Sequence, residues 1–281
     1  MNEGESTGSE DCLYISVFTR HLGTTARRPV LVFFHGGAFI FGGTTMMTGQ
    51  YLLEQDLVLV TVQYRLGPFG FLTLEDSTVP GNLGLLDQVA SLQWVHQHIA
   101  QFGGDPGLVT VAGLSAGAAS VHYLLQSPLT DGLIHRAVLL SGSSLCWWAD
   151  LPGQASTART LAGRLGCPTS PSLEVLTCLR KQEAEQIMEA QGQLYSWHPG
   201  TLQREPMNIW SPRHQPGGKV GVELRQRVPM LVGVDETEGA WRAAAVLGRE
   251  FVLEDFITNF REVAPLVLGL KDQVEPTKHE Q

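Results

Sequence analysis

Leu108, Val109, Thr110, Val111 and Ala112 form an apolar, β-branched run, and Gly113, Leu114, Ser115, Ala116 and Gly117 follow at once. An alanine-rich amphipathic segment comes next. A strand that meets glycine, one serine and a second glycine before a helix has the layout of a nucleophile elbow. Strand and helix backbones come so close at such a turn that the flanking positions have no room for side chains. The turn holds the serine hydroxyl outward, and the first free N–H groups of the helix face the place where negative charge develops. The alternative is a plain turn serine, and the strand-turn-helix context is what separates the two readings.

The chain has the core such a turn requires. Its 281 residues are 43% hydrophobic and 17% charged, an ordinary globular balance. The net charge of −9 argues against nucleic acid as a partner, because phosphate contacts need clustered Lys and Arg. No run of eighteen apolar residues occurs, so no transmembrane segment is expected. Residues 1–8 are polar and lack the apolar core of a signal peptide, so either the protein is cytosolic or its true start lies upstream. Cys12, Cys146, Cys167 and Cys178 are too few for a disulfide scaffold and contain no C-x-x-C pair, so no metal is expected.

Read in order, residues 12–18 alternate as a strand, 29–34 form a continuous apolar strand, and 57–64 form another. No helix-length segment lies between these strands beyond about 51–55, which predicts a mixed early sheet. The loop after the second strand is His35, Gly36, Gly37, Ala38 and Phe39. Asn82 is placed to cap a helix with Asp87 in its early turns and apolar residues at helical spacing from Leu85 to Ile99. The helix after Ser115 is expected to run to about Leu125, and 137–140 reads as the next parallel strand. Short helices are expected at 157–165, 173–179 and 183–190. A buried strand follows at 228–234, then an acidic turn with Asp235, Glu236 and Glu238, then helices from about 240 onward.

A serine attacks a carbonyl only when a base takes its proton and donors meet the oxyanion. Ala116, directly after the serine, and Gly37 and Ala38, in the glycine-rich loop, are the candidate N–H donors. The triad order expected in this class is Ser, then acid, then His, so the acidic turn after 228–234 is placed to supply the carboxylate. After Glu238 only His279 remains, in a charged tail that is a poor seat for a preorganised base.

These residues resemble the type-B carboxylesterase and cholinesterase family. The segment from Glu10 to Arg20 is similar to its first-cysteine signature, and the segments from Phe102 to Pro106 and Gly113 to Gly117 to its active-serine signature. Tyr64 to Phe71 and Gly81 to Gln88 are equally similar. The resemblance implies a single partial α/β-hydrolase domain over 1–281 with a large mixed central sheet, and a tail at 268–281 that is expected to be disordered. It implies a serine hydrolase of small carboxylic esters, without cofactor, in a secreted or surface setting. It carries Ser115 over as the nucleophile, Glu238 as the triad acid, and Gly37, Ala38 and Ala116 as the oxyanion donors. It also implies a Cys167–Cys178 disulfide, an upstream partner for Cys12, and Trp148 as a lining of the acyl pocket, where an ordinary core tryptophan is the competing reading.

The sequence departs from that family in three ways. Leu114 stands where the family carries Glu, the choline-binding tryptophan has no counterpart near Asn2, and the stretch between Trp210 and Val228 is shorter. The resemblance further implies that this chain stops before the catalytic histidine and lacks the family's first strands and C-terminal helices. Two function classes follow: a serine ester hydrolase that is weak or inactive in this form, or a non-catalytic adhesion relative. Retention of Ser115 and the glycine-rich loop favours the first.

Overall fold

The computed structural model describes residues 8–194, 209–214 and 223–267. Apolar β-branched runs build the sheet. Its strands are β1 (Ile15–Phe18), β2 (Arg28–Phe34), β3 (Val58–Val62), β4 (Gly104–Leu114), β5 (Arg136–Leu140) and β6 (Met230–Gly233). Their spatial order is β1-β3-β2-β4-β5-β6. β1 runs antiparallel to β3 and the remaining pairs are parallel, so the sheet is mixed, as the helix-free early segment requires. Val30, Val32 and Phe34 of β2, all five residues of β3, and Val109 and Val111 of β4 are buried. These are strands covered on both faces.

Register, more than burial, positions the site. Phe34 pairs with Gly113 and Leu114 with Leu140, so β2, β4 and β5 end at the same level. Leu140 in turn pairs with Gly233. The 35–39 loop, the 113–117 turn and the 235–239 turn therefore gather at one carboxyl edge of the sheet, where open α/β sheets bind their ligands.

Helices α1 (Gly67–Phe71), α2 (Leu83–His98), α3 (Ala116–Gln126), α4 (Gln154–Arg164), α5 (Ser172–Leu179) and α6 (Ala184–Gly192) surround the sheet. α3 is buried at every residue from Ala116 to Leu125, which is why its sequence carries Gly117, Ala118 and Ala119 and no charge. Glu183 and Gln186 close a capping box at the start of α6. Residues 209–214 are pinned to this layer by polar bonds: Trp210 Nε1 donates to Gln191 Oε1 at 2.7 Å, and Gln154 Nε2 donates to Ser211 O at 3.1 Å.

Three expectations are corrected. Asn82 does not cap α2 with its side chain; it sits in the left-handed region at φ 61° and exchanges two 2.8 Å bonds with the Arg213 backbone. Anchoring a distant segment has displaced the local capping role. The segment at 51–55 is only a single 3-10 turn over Leu52–Glu54. β6 is not buried: Met230, Leu231 and Val232 are 43%, 62% and 65% exposed, because β6 is the sheet's edge among the described residues. Beyond it α7 (Ala240–Leu247), α8 (Glu250–Thr258) and α9 (Phe260–Val267) form a small cluster of their own around Val246, Val252 and Val263. The expected tail at 268–281 lies outside the described residues.

Candidate active site

β4 ends at Leu114, α3 begins at Ala116, and Ser115 is the single residue between them, with φ 54° and ψ −117°. That backbone conformation is costly for a residue with a side chain, by about 1–3 kcal/mol, and persists only where the surroundings impose it. The surroundings do so here. Ser115 N–H donates to Leu140 O at 2.8 Å, and Ser115 O accepts from Ala119 N–H at 2.9 Å. A Cβ at Gly113 would lie 2.2 Å from Gly117 C, and one at Gly117 would lie 2.1 Å from Phe34 O. The two flanking glycines are thus required by contact with backbone. Ser115 is half-buried, and among the described residues its hydroxyl has no hydrogen-bond partner.

The glycine-rich loop lies against this turn. A Cβ at Gly36 would come within 3.3 Å of Ser115 Cβ and 2.8 Å of Leu114 O. Gly37 (φ 119°), Ala38 (φ 53°) and Phe39 (φ 64°) all adopt positive φ, and Gly37 O accepts from the Ile40 and Phe41 N–H groups at 2.9 and 3.0 Å. Succession of three such residues folds the loop back on itself. Among the described residues, the N–H groups of Gly37, Ala38 and Ala116 have no acceptor. The contact of Gly36 with Leu114 and Ser115 thus seats the glycine-rich loop, which carries Gly37 and Ala38, against the turn that carries Ala116.

Glu238 lies in the turn after β6. Its Oε1 accepts from Asp235 N–H at 3.0 Å. A hydrogen bond with the Ser141 side chain, first, and that Asp235 bond, second, hold its carboxyl below the usual glutamate range. Ser141 directly follows β5, at φ 55°, and its N–H donates to Gly233 O at 2.8 Å. The next residue, Gly142, abuts Ser115: a Cβ there would lie 2.3 Å from Ser115 O. Ser141 and Gly142 thus join the acidic turn to the elbow. Neither belongs to a local motif; the signal the sequence holds for them is a Ser-Gly pair at the end of a parallel strand neighbouring the elbow strand.

Trp148 is half-buried in the 3-10 turn Trp147–Ala149, with its ring 6.2 Å from that of Phe39 in the glycine-rich loop. Cys167 and Cys178 form the expected disulfide, and Cys12 is a free thiol. Among the described residues no histidine hydrogen-bonds to Ser115 or Glu238. His122, on α3, accepts at Nδ1 from Ser144 N–H at 3.2 Å, and burial lowers its pKa. His198 and His279 lie outside the described residues. No group of three or more metal-ligating side chains occurs among the described residues, and no described helix is long and apolar enough to cross a membrane.

Comparison with known proteins shows the family. The profile described as "Carboxylesterase family" matches residues 1–274. A carboxylic ester hydrolase of Bombus ignitus is 36% identical over 285 residues, which cover 100% of this chain and 51% of that protein. Esterase FE4 of Myzus persicae is 36% identical over 273 residues, covering 93% of the chain and 47% of its own length. Liver carboxylesterase 1 of Oryctolagus cuniculus is 45% identical over 183 residues, 64% of the chain and 32% of that enzyme. The chain thus spans about half the length of the first two of these relatives, and the mixed sheet with its strand-serine-helix turn is the α/β-hydrolase arrangement. It belongs to the carboxylesterase family.

Proposed function

We propose that this protein hydrolyses small carboxylic esters through an acyl-enzyme on Ser115. The observation that carries the reading is the strained Ser115 at the carboxyl edge of the sheet, with the glycine-rich loop packed on its turn and, among the described residues, no acceptor for the Gly37, Ala38 and Ala116 N–H groups. Ser115 Oγ attacks the ester carbonyl carbon, and an imidazole takes its proton. The carbonyl oxygen becomes an oxyanion that the Gly37, Ala38 and Ala116 N–H groups receive; one such donor is worth about 3–4 kcal/mol of barrier. As the intermediate collapses, the alcohol leaves with the proton from the imidazolium. Water then attacks the acyl-serine, again with the imidazole as base, releasing the acid and restoring Ser115. Glu238 orients the imidazole, and Trp148 lines the acyl side.

His279 is the one histidine after Glu238 in this sequence. We infer that the 281-residue chain by itself turns esters over weakly or not at all, since loss of a triad member removes several orders of magnitude while the oxyanion donors retain some catalysis. The name of a honeybee relative, venom carboxylesterase-6 of Apis mellifera, and the Cys167–Cys178 bridge support an extracellular setting.

The test is labelling by a fluorophosphonate in buffer containing imidazole, which can stand in for the base. The chain is expected to label and the Ser115→Ala variant not to. p-Nitrophenyl ester turnover should be low without imidazole and should rise with it in a Ser115-dependent way. Absence of Ser115 labelling under both conditions would sink the hydrolase reading and favour a binding role for this fold. Rapid, Ser115-dependent turnover without imidazole would refute the inferred lack of a base.

A further inference from the structure

We propose that His35 is a positioning residue: as a neutral imidazole carrying its proton on Nδ1, it fixes the Gly36 carbonyl and so turns the Gly37 N–H toward Ser115. The inference rests on the serine-esterase reading above.

His35 is 1% exposed, and its Nδ1 lies 2.8 Å from Gly36 O. A carbonyl oxygen can only accept, so Nδ1 must carry the proton. Nε2 is buried and has no partner, consistent with a bare lone pair there. Burial, the dominant influence, pushes the ring's pKa down, and no charged group among the described residues offsets it.

The ring cannot turn away. It stacks on Tyr64 with centroids 4.5 Å apart and planes at 20°, and the Tyr64 hydroxyl donates to His35 O at 2.8 Å. Gly42 closes the other side, where a Cβ would meet Gly36 O at 2.5 Å and His35 Nδ1 at 2.6 Å. The Gly36–Gly37 peptide is trans, so its C=O and N–H point in opposite directions. A Gly36 carbonyl held against the imidazole therefore leaves the Gly37 N–H on the far side of the peptide, with Gly36 itself packed on the elbow. The same geometry removes His35 from consideration as the base: its free nitrogen is sealed in the core.

Two measurements test this on the 281-residue chain. Nitrogen-15 histidine NMR should give His35 a protonated Nδ1 and a bare Nε2 at neutral pH; the opposite tautomer, or a cation, overturns the proposal. Fluorophosphonate labelling of Ser115 in imidazole buffer should fall at least about tenfold in His35→Phe, part of the roughly 10²–10³-fold attached to one lost donor. His35→Asn, whose amide N–H occupies the Nδ1 position, should stay within about threefold of the parent rate. A His35→Phe protein that melts like the parent and labels at its rate overturns the proposal, as does a His35→Asn that falls as far as His35→Phe. If His35→Phe does not fold, the tautomer and the Asn variant decide. Undiminished labelling of Ser115→Ala would sink the underlying serine reading, a distinct result.

Discussion

At the scale of single residues, the site depends on positions where no Cβ can stand. Gly142 is the sharpest case, because the atoms a side chain would meet are the O, C and Cα of Ser115, at 2.3, 2.9 and 3.1 Å. Backbone cannot yield as a flexible side chain can, so Gly142→Ala must displace Ser115 itself. A displacement of about 1 Å costs on the order of 10²-fold in rate, and overpacking of this kind typically costs about 1–3 kcal/mol of stability. Gly142→Ala is therefore expected to lose most Ser115 labelling while still folding, as read from urea unfolding beside labelling rates; parental labelling would contradict it. Ser141, one residue earlier, acts on charge. Its hydrogen bond is the largest influence lowering the Glu238 pKa, so the carboxylate's contribution is present above the ordinary glutamate value and is lost as pH falls through the lowered one. Ser141→Ala should move the Glu238 carboxyl titration upward, toward the ordinary value, in carbon-13 NMR. An unchanged midpoint would mean that the Asp235 N–H alone sets it.

At the scale of elements, the loop after β3 is tied to α2 by one ion pair. Arg65 binds the Asp87 carboxylate through Nε at 2.8 Å and Nη2 at 2.7 Å, and the Arg65 N–H donates to it at 3.0 Å. Asp87 is nearly buried and Arg65 partly exposed, so the pair is worth more than a surface one and less than a core one. Asp87→Asn keeps the volume and removes the charge, and should cost about 2 kcal/mol in urea denaturation, the range for a charge-assisted bond. A loss under a few tenths would show the pair to be dispensable. Asp87 also shows what was legible in the sequence. Its place early in α2 could be read from helical periodicity, but its partner Arg65 could not, because the pairing joins residues 22 apart in chain order. The buried strands β2, β3 and β4, the α3 boundary and the elbow were readable for the same local reason: runs of β-branched residues, then glycines. Asn82 misled because a capping residue type was recruited for a contact with Arg213, 131 positions away. Among the site residues, Ser115, Gly37, Ala38 and Ala116 lie in two short motifs. Ser141 and Gly142 became visible only through the register of β5 against β4 and β6.

At the scale of the whole molecule, the two flanks of the sheet differ. On the β2–β3 side, Phe33, Leu59 and Ala112 are covered by Leu52, Leu53 and Leu57. On the β6 side, Leu231, Val232 and Val234 are 62%, 65% and 76% exposed, and β6 pairs only with β5 among the described residues. A flat apolar edge strand with unpaired N–H and C=O groups is a template for another strand. Its apolar pattern told of a strand buried on both sides, and that pattern is what the edge now exposes to solvent. The 281-residue chain is therefore expected to self-associate with increasing concentration, detected as growth of the weight-average mass in sedimentation velocity. Val232→Lys places a charge on that edge without touching Ser115 or the 35–39 loop, and should suppress the association while leaving Ser115 labelling within about twofold of the parent. The Cys167–Cys178 bridge supplies an internal control. It closes a loop of separation 11 far along the chain from β6, and opening such a loop costs about 3 kcal/mol of stability. Reduction should thus lower the melting temperature of the parent and of Val232→Lys alike. If reduction, and not the lysine, governs association, general unfolding and not the β6 edge is the route by which these molecules find each other.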